Sequence, residues 1–201
     1  KSLSPPSRKG FPETHSLLNQ SWKEYLGCIE TILSKQDYLL GDQFTIADAS
    51  AYGQLAMNLV DPETAEKMQA IAPQTFAWLN RIYSKKYQQL QSQHKDEQLY
   101  LSDELKPLLN TIMSTFSALM VQNAQAYKLA KQNGETVFNE KAFNQGKALY
   151  DGKLCGHPFR TVIKTFQVRV WKELCTAWRA LEEPEKNEVK AMIDLCELFE
   201  V

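Results

Sequence analysis

Thr45 and Asp48 stand three residues apart, just ahead of a helical pattern. At this spacing a hydroxyl and a carboxylate can satisfy the first orphan amides of a helix. The threonine oxygen accepts one N–H while the carboxylate, standing where Glu or Gln is usual, reaches back to the N–H of Thr45. The chemistry predicted for this pair is a structural capping box at the start of a buried helix. The other reactive groups are scattered: Cys28, Cys155, Cys175 and Cys196, and His15, His94 and His157. Only Cys155 and His157 are close enough to share a metal, and one ligand pair falls short of a zinc set, so no metal is expected. Cys28, Cys175 and Cys196 fall in apolar helical patterns as small core residues. Cys155 falls on the small hairpin predicted below and is the thiol to test for reactivity. No nucleophile, base and orienting acid assemble from neighbouring residues, and the dispersed glycines make no phosphate-binding loop. No catalytic residue is assigned.

Two further side chains are candidates for substrate contact. Tyr52 lies one helical turn beyond Asp48, where by itself it reads as a packed tyrosine with its hydroxyl bonded to a neighbour; its candidacy rests on the resemblance given below. Asn123 falls among Phe116, Met120 and Tyr127 on a face expected to be buried, where an unpaired amide would be destabilising. It either bonds to neighbouring backbone or contacts a ligand.

The elements that must position these residues are helical. Residues 1 to 12 carry Pro5, Pro6, Gly10 and Pro12 among serines and basic residues, a disordered linker by composition. From 13 to 35, Leu18, Trp22, Leu26, Ile29 and Leu33 recur at helical steps. Gly41-Asp42 breaks the chain before a helix of about 45 to 59. Asp61-Pro62 has the cap-then-proline order of another helix start, and Pro73 opens the next, with Phe76, Leu79, Ile82 or Tyr83, and Leu90 inward. Gln88 to Gln98 reads as polar and exposed. A long helix follows over about 105 to 131, with Leu105, Leu109, Ile112, Phe116, Leu119 or Met120, and Tyr127 on one face and Gly134 as its stop. Between 139 and 157 the period fails, and Asp151-Gly152 predicts a type I′ turn in a small hairpin. His157-Pro158 then opens a helix carrying Phe159, Val162 or Ile163, Phe166, Val170, Leu174, Trp178 and Leu181. Glu183-Pro184 separates it from a last helix with Val189, Met192, Ile193 and Cys196 inward.

Composition sets the outer limits. The chain has 201 residues, 43% of them hydrophobic, with 23 basic and 24 acidic side chains and a net charge of -1. Such balance gives no long-range attraction to nucleic acid or to an anionic membrane, so neither is an expected partner. No apolar run approaches the roughly 20 residues of a membrane span, and Lys1 to Pro12 resembles no targeting peptide. With unpaired cysteines, a soluble protein of the cytoplasm is expected.

The segment Tyr38-Leu39-Leu40-Gly41-Asp42-Gln43-Phe44-Thr45-Ile46-Ala47-Asp48, continuing to Gln54, resembles the core motif of the glutathione transferase C-terminal domain. There an apolar pair, a glycine turn and Thr/Ser-x-Ala-Asp introduce a buried central helix. Asp61-Pro62, Ala72-Pro73 with Ala77-Trp78, Asn123-Ala124, Gly156 to Phe159 and the terminal helix pair follow in the family's order and look like a bacterial branch of it. Thr161-Val162 departs from the pattern, since Tyr-Gln is expected there. The resemblance implies an all-α, glutathione-transferase C-terminal-like helical bundle over 13–201, with a small β-hairpin near 147–155. No strand-helix-strand pattern precedes residue 13, so the thioredoxin-like N-terminal domain that binds glutathione is expected to be absent from this chain.

Two functions follow from the resemblance. In the first, the full-length protein conjugates glutathione to an apolar electrophile or exchanges thiols with it, glutathione being a co-substrate. These helices would then supply the electrophile side, and this chain alone would be inactive. The upper part of the Thr45–Asp48 helix, where Tyr52 lies, would approach the cleft between domains. In the second, the fold is a non-catalytic protein-interaction module. Homodimers are usual in the family, through a contact that uses both domains.

Overall fold

The computed structural model describes residues 11–86, 99 and 101–200, with side chains described at 16 and from 18 onward within these ranges. Most of the linker reading, the polar stretch from Gln88 and the inward placement of Leu90 lie outside the described residues. The described residues form helices and one two-stranded antiparallel hairpin, with turns between them. It divides into two compact units, Lys1–Leu108 and Leu109–Val201.

In the first unit, α1 (Phe11–Leu33), α2 (Ile46–Leu55), α3 (Pro62–Ile71) and α4 (Pro73–Tyr83) are joined by short connections. Helix α4 packs against α1, α2 and α3. Leu26, Ile29 and Ile32 of α1 and Trp78 and Leu79 of α4 are all fully buried where water is excluded. Leu18, expected on the same stripe, is 58% exposed, so the buried face begins later along α1. After α1 the chain reverses through a turn in which the Tyr38 N–H donates to Gly41 O at 2.9 Å. Gly41 has φ +109°, a conformation that suits glycine alone. Helix α3 starts at Asp61, whose carboxylate accepts from the Thr64 N–H and hydroxyl, with Pro62 in its first turn. Helix α4 has Ala72 at its N-cap, which offers no side-chain acceptor. Glu30 of α1 takes that role, accepting from the N–H groups of Gln74 and Thr75 at 2.9 and 2.8 Å and from the Thr75 hydroxyl at 2.9 Å. A carboxylate at a helix N-terminus also meets the positive end of the helix dipole.

The second unit follows α5 (Lys106–Ile112), within which the division falls. A π-helical turn, Met113–Ser117, leads into α6 (Ala118–Gln132). The wider π turn rotates the buried face relative to a regular helix. Met113, Ser117 and Met120 turn inward, while Ile112 and Phe116, both expected inside, are 37% and 43% exposed. Helix α6 ends as expected at Gly134, with φ +83° and the Glu135 N–H bonded to Ala130 O at 2.9 Å.

A short α7 (Glu140–Asn144) precedes β1 (Leu149–Leu154) and β2 (His157–Val162). The hairpin is real, but its turn is not at Asp151-Gly152, which sits inside β1 opposite Arg160 and Phe159. The two turn residues are Cys155 and Gly156, with φ +48° and +81°, the positive pair a type I′ turn requires. Gly152 serves packing instead: a Cβ there would lie 2.5 Å from Phe159 Cζ. His157-Pro158 therefore begins a strand, and the long helix starts later, as α8 (Thr165–Ala180). Its buried face is Val168, Trp171, Cys175 and Trp178, while Phe166 and Leu174, expected inward, are 65% and 42% exposed. Trp171 and Trp178 both stack on Phe199, at 5.5 and 5.3 Å, which fixes that choice of face. Pro184, read as a separator, lies in the first turn of α9 (Glu183–Lys190). Met192 and Ile193 beyond it are buried, whereas Val189 and Cys196 are half-buried.

Candidate functional site

The Thr45–Asp48 pair lies at the start of α2, and Asp48 is fully buried. Thr45 has the extended backbone of an N-cap, and the reciprocal bonds of a capping box are both present. The Asp48 carboxylate gathers more than its own turn. Oδ2 accepts from the Thr45 N–H at 2.9 Å and from its hydroxyl at 2.8 Å. Oδ1 accepts from the Leu39 N–H at 2.9 Å and from the Trp78 Nε1–H at 3.3 Å. These contacts fill the acceptor capacity of a carboxylate. Asp48 thus ties the turn after α1, the cap of α2 and the side of α4 to one point, and has no lone pair left for a substrate.

Around this node, Gln36 donates to the carbonyls of Tyr38 and Leu39 at 2.8 and 2.9 Å. Arg81 pairs with Asp37 at 2.6 Å and lies 5.3 Å over the Tyr38 ring. Burial pushes the Tyr38 hydroxyl above its ordinary pKa, with Arg81 drawing it the other way, and that hydroxyl finds no hydrogen-bond partner. Tyr52 is half-buried farther along α2.

Asn123 belongs to the second unit, on α6, and is fully buried. Its Nδ2 donates to Lys164 O at 3.0 Å, and its Oδ1 accepts from the Lys164 N–H at 2.9 Å. The side chain thereby pairs like a peptide group with the residue that precedes α8. Its neighbour Gln122 does the same at the hairpin, donating to Lys153 O at 3.0 Å and accepting from the Lys153 N–H at 2.9 Å. Consecutive amides on one helix thus hold both the hairpin and the start of α8.

A cleft of about 760 Å³ runs between α6 and α8. Val121, Ala124, Val168, Trp171 and Cys175 line its apolar part, and Lys128, Lys131, Lys172 and Arg179 stand around it. Among the described residues no carboxylate lines it. Burial pushes the Cys175 thiol above its ordinary pKa, Arg179 opposing, so this thiol is the poorer nucleophile for its position. Cys155 is exposed at the hairpin turn, and His157 follows it. Among the described residues no three His, Cys, Asp or Glu side chains gather in a group that could hold a metal ion.

Of the candidates read from the sequence, the structure brings Thr45 and Asp48 into contact and leaves Asn123 in a different unit. Glu30, Trp78 and Gln122 were not singled out. Each bonds to backbone or to a carboxylate at least 30 residues away, and no local pattern encodes such a partner. The basic rim had a faint signal in Lys128, Lys131, Lys172 and Arg179, which flank apolar stripes on two helices that only the fold brings together.

Residues 6–86, less than half of the chain, match the family model described as glutathione S-transferase, C-terminal domain. No curated protein and no solved structure matches. Residues 6–86 are thus similar to the C-terminal domain of glutathione transferases, and the Asp48 node lies near the middle of that segment. No described helix is long and apolar enough to cross a membrane.

Proposed function

We propose that this chain is the electrophile-side helical part of a glutathione transferase, whose full-length form conjugates or thiol-exchanges glutathione with an apolar electrophile. The observation carrying this reading is the match over residues 6–86, centred on a buried carboxylate whose bonds are all structural. A thioredoxin-like domain supplied by sequence outside this chain binds glutathione and lowers the thiol pKa, and the helices position the second substrate. Tyr52, half-buried on α2, is the side chain assigned to that substrate. A sequence with no Cys-x-x-Cys pair, in a chain long enough to need no disulfide staples, supports a reducing, cytoplasmic setting.

The test compares the 201-residue chain with the product of the reading frame extended upstream. Retention on immobilised glutathione and turnover of a nitro-activated aryl chloride are expected of the longer protein and not of the chain alone. Turnover by the chain alone would overturn the division of labour.

A second reading, a non-catalytic interaction module, draws on Met57 and Val60. They lie three residues apart at the end of a 3₁₀ turn and are 71% and 74% exposed. Apolar side chains so exposed suit a partner surface. Failure of the longer protein to bind glutathione, with a partner lost on Met57→Asp, favours this alternative.

A further inference from the structure

The cleft between α6 and α8 lies outside the matched residues and has no part in the function proposed above. We propose that it binds an amphipathic anion, an aliphatic body carrying one carboxylate-type headgroup.

Two independent properties of the cleft define that ligand. Its floor is apolar and includes Trp171, whose ring stacks on Phe199. Its rim carries two cations from each helix, Lys128 and Lys131 from α6 and Lys172 and Arg179 from α8, in a chain whose net charge is -1. None of these four makes an ion pair with a described residue, whereas Arg169, one turn along α8, is paired to Glu173 at 3.8 Å. A volume of about 760 Å³ falls in the range of small-molecule sites, about 300–1,000 Å³.

The two properties exclude simpler ligands. A small inorganic anion would meet only exposed, hydrated cations, which contribute little by themselves. A neutral apolar molecule would leave the rim charges uncompensated beside a desolvated surface. A molecule with both parts places its chain on the floor and its headgroup among the lysines, where long flexible stems allow the ammonium groups to converge.

Titration calorimetry on the 201-residue chain tests this with decanoate, decanol and acetate as probes. Saturable binding of decanoate is expected, at least tenfold tighter than decanol, with none for acetate. Lys128→Gln with Lys172→Gln should weaken decanoate at least tenfold, and Ala124→Trp, which fills the floor, should abolish binding. Should either variant fail to fold, the unaltered chain still decides. Its affinity for decanoate should fall severalfold between about 0.02 and about 0.2 M salt, as attraction to exposed charges is screened. Equal binding of decanol, no saturable binding of decanoate, or salt-independent affinity would overturn the proposal. So would co-sedimentation with phosphatidylglycerol vesicles by a chain that ignores free decanoate, since the charge would then serve a membrane surface.

Discussion

Asp48 concentrates the stability of the first unit at a single carboxylate. Replacing it with alanine leaves the buried Leu39 N–H and Trp78 Nε1–H without acceptors and opens the cap of α2. Bonds to a charged group contribute about 1.5–3 kcal/mol each, so Asp48→Ala should cost about 3 kcal/mol or more, measured by denaturant unfolding. Tyr38→Phe makes the opposite case. Its hydroxyl is buried without a partner, so removing it should be neutral or stabilising, within about 0.5 kcal/mol. At the surface, the Thr64 hydroxyl holds the Asp61 carboxyl below the usual carboxylate range, and the Arg160 fork does the same for Asp151. A carboxyl whose folded pKa is depressed stabilises the fold above its unfolded pKa and loses that contribution as pH falls through the folded value. Thermal stability should therefore fall on acidification below the ordinary carboxylate range, about pH 4. Asp151→Asn should flatten that part of the profile.

Among the elements, the hairpin shows how a local signal is overridden. Asp-Gly is a strong turn dipeptide, yet moving the turn to Cys155-Gly156 lets Asp151 face Arg160 through two bonds of 2.6 and 2.7 Å. It also lets the Phe159 ring cover Gly152. Cys155 then adopts a positive φ that suits asparagine or glycine better. Cys155→Asn should raise stability by about 0.5–1 kcal/mol, and Gly152→Ala should cost about 1–3 kcal/mol through its clash with Phe159 and Gln122. Melting curves of the two variants are expected to move in opposite directions. The π turn is a second override: Ile112 and Phe116 keep a regular helical spacing to Met120, but the widened turn points them outward.

For the whole molecule, each unit holds its own buried core. Amides of different cores can open at different free energies. Asp48→Ala should therefore accelerate hydrogen exchange in α2 and α4 while leaving α6 and α8 at their original protection, read by mass spectrometry of native-state exchange. A uniform loss across both units would show that they open together.

The helical class, the starts of α2, α3 and α4, the stop at Gly134 and the resemblance around Thr45–Asp48 were legible in the sequence, whereas the match to a family model covers only residues 6–86 of the 13–201 expected. These rest on periodicity, caps and prolines, whose physics acts within a few residues. Tertiary structure alone decided which face of α6 and α8 is buried, where the hairpin turns, and which side chains complete the caps. Glu30, Gln122 and Asn123 each bond to a backbone group 31 or more residues away in the chain. The basic cleft belongs with them, because its cations share a site only once the two helices pack.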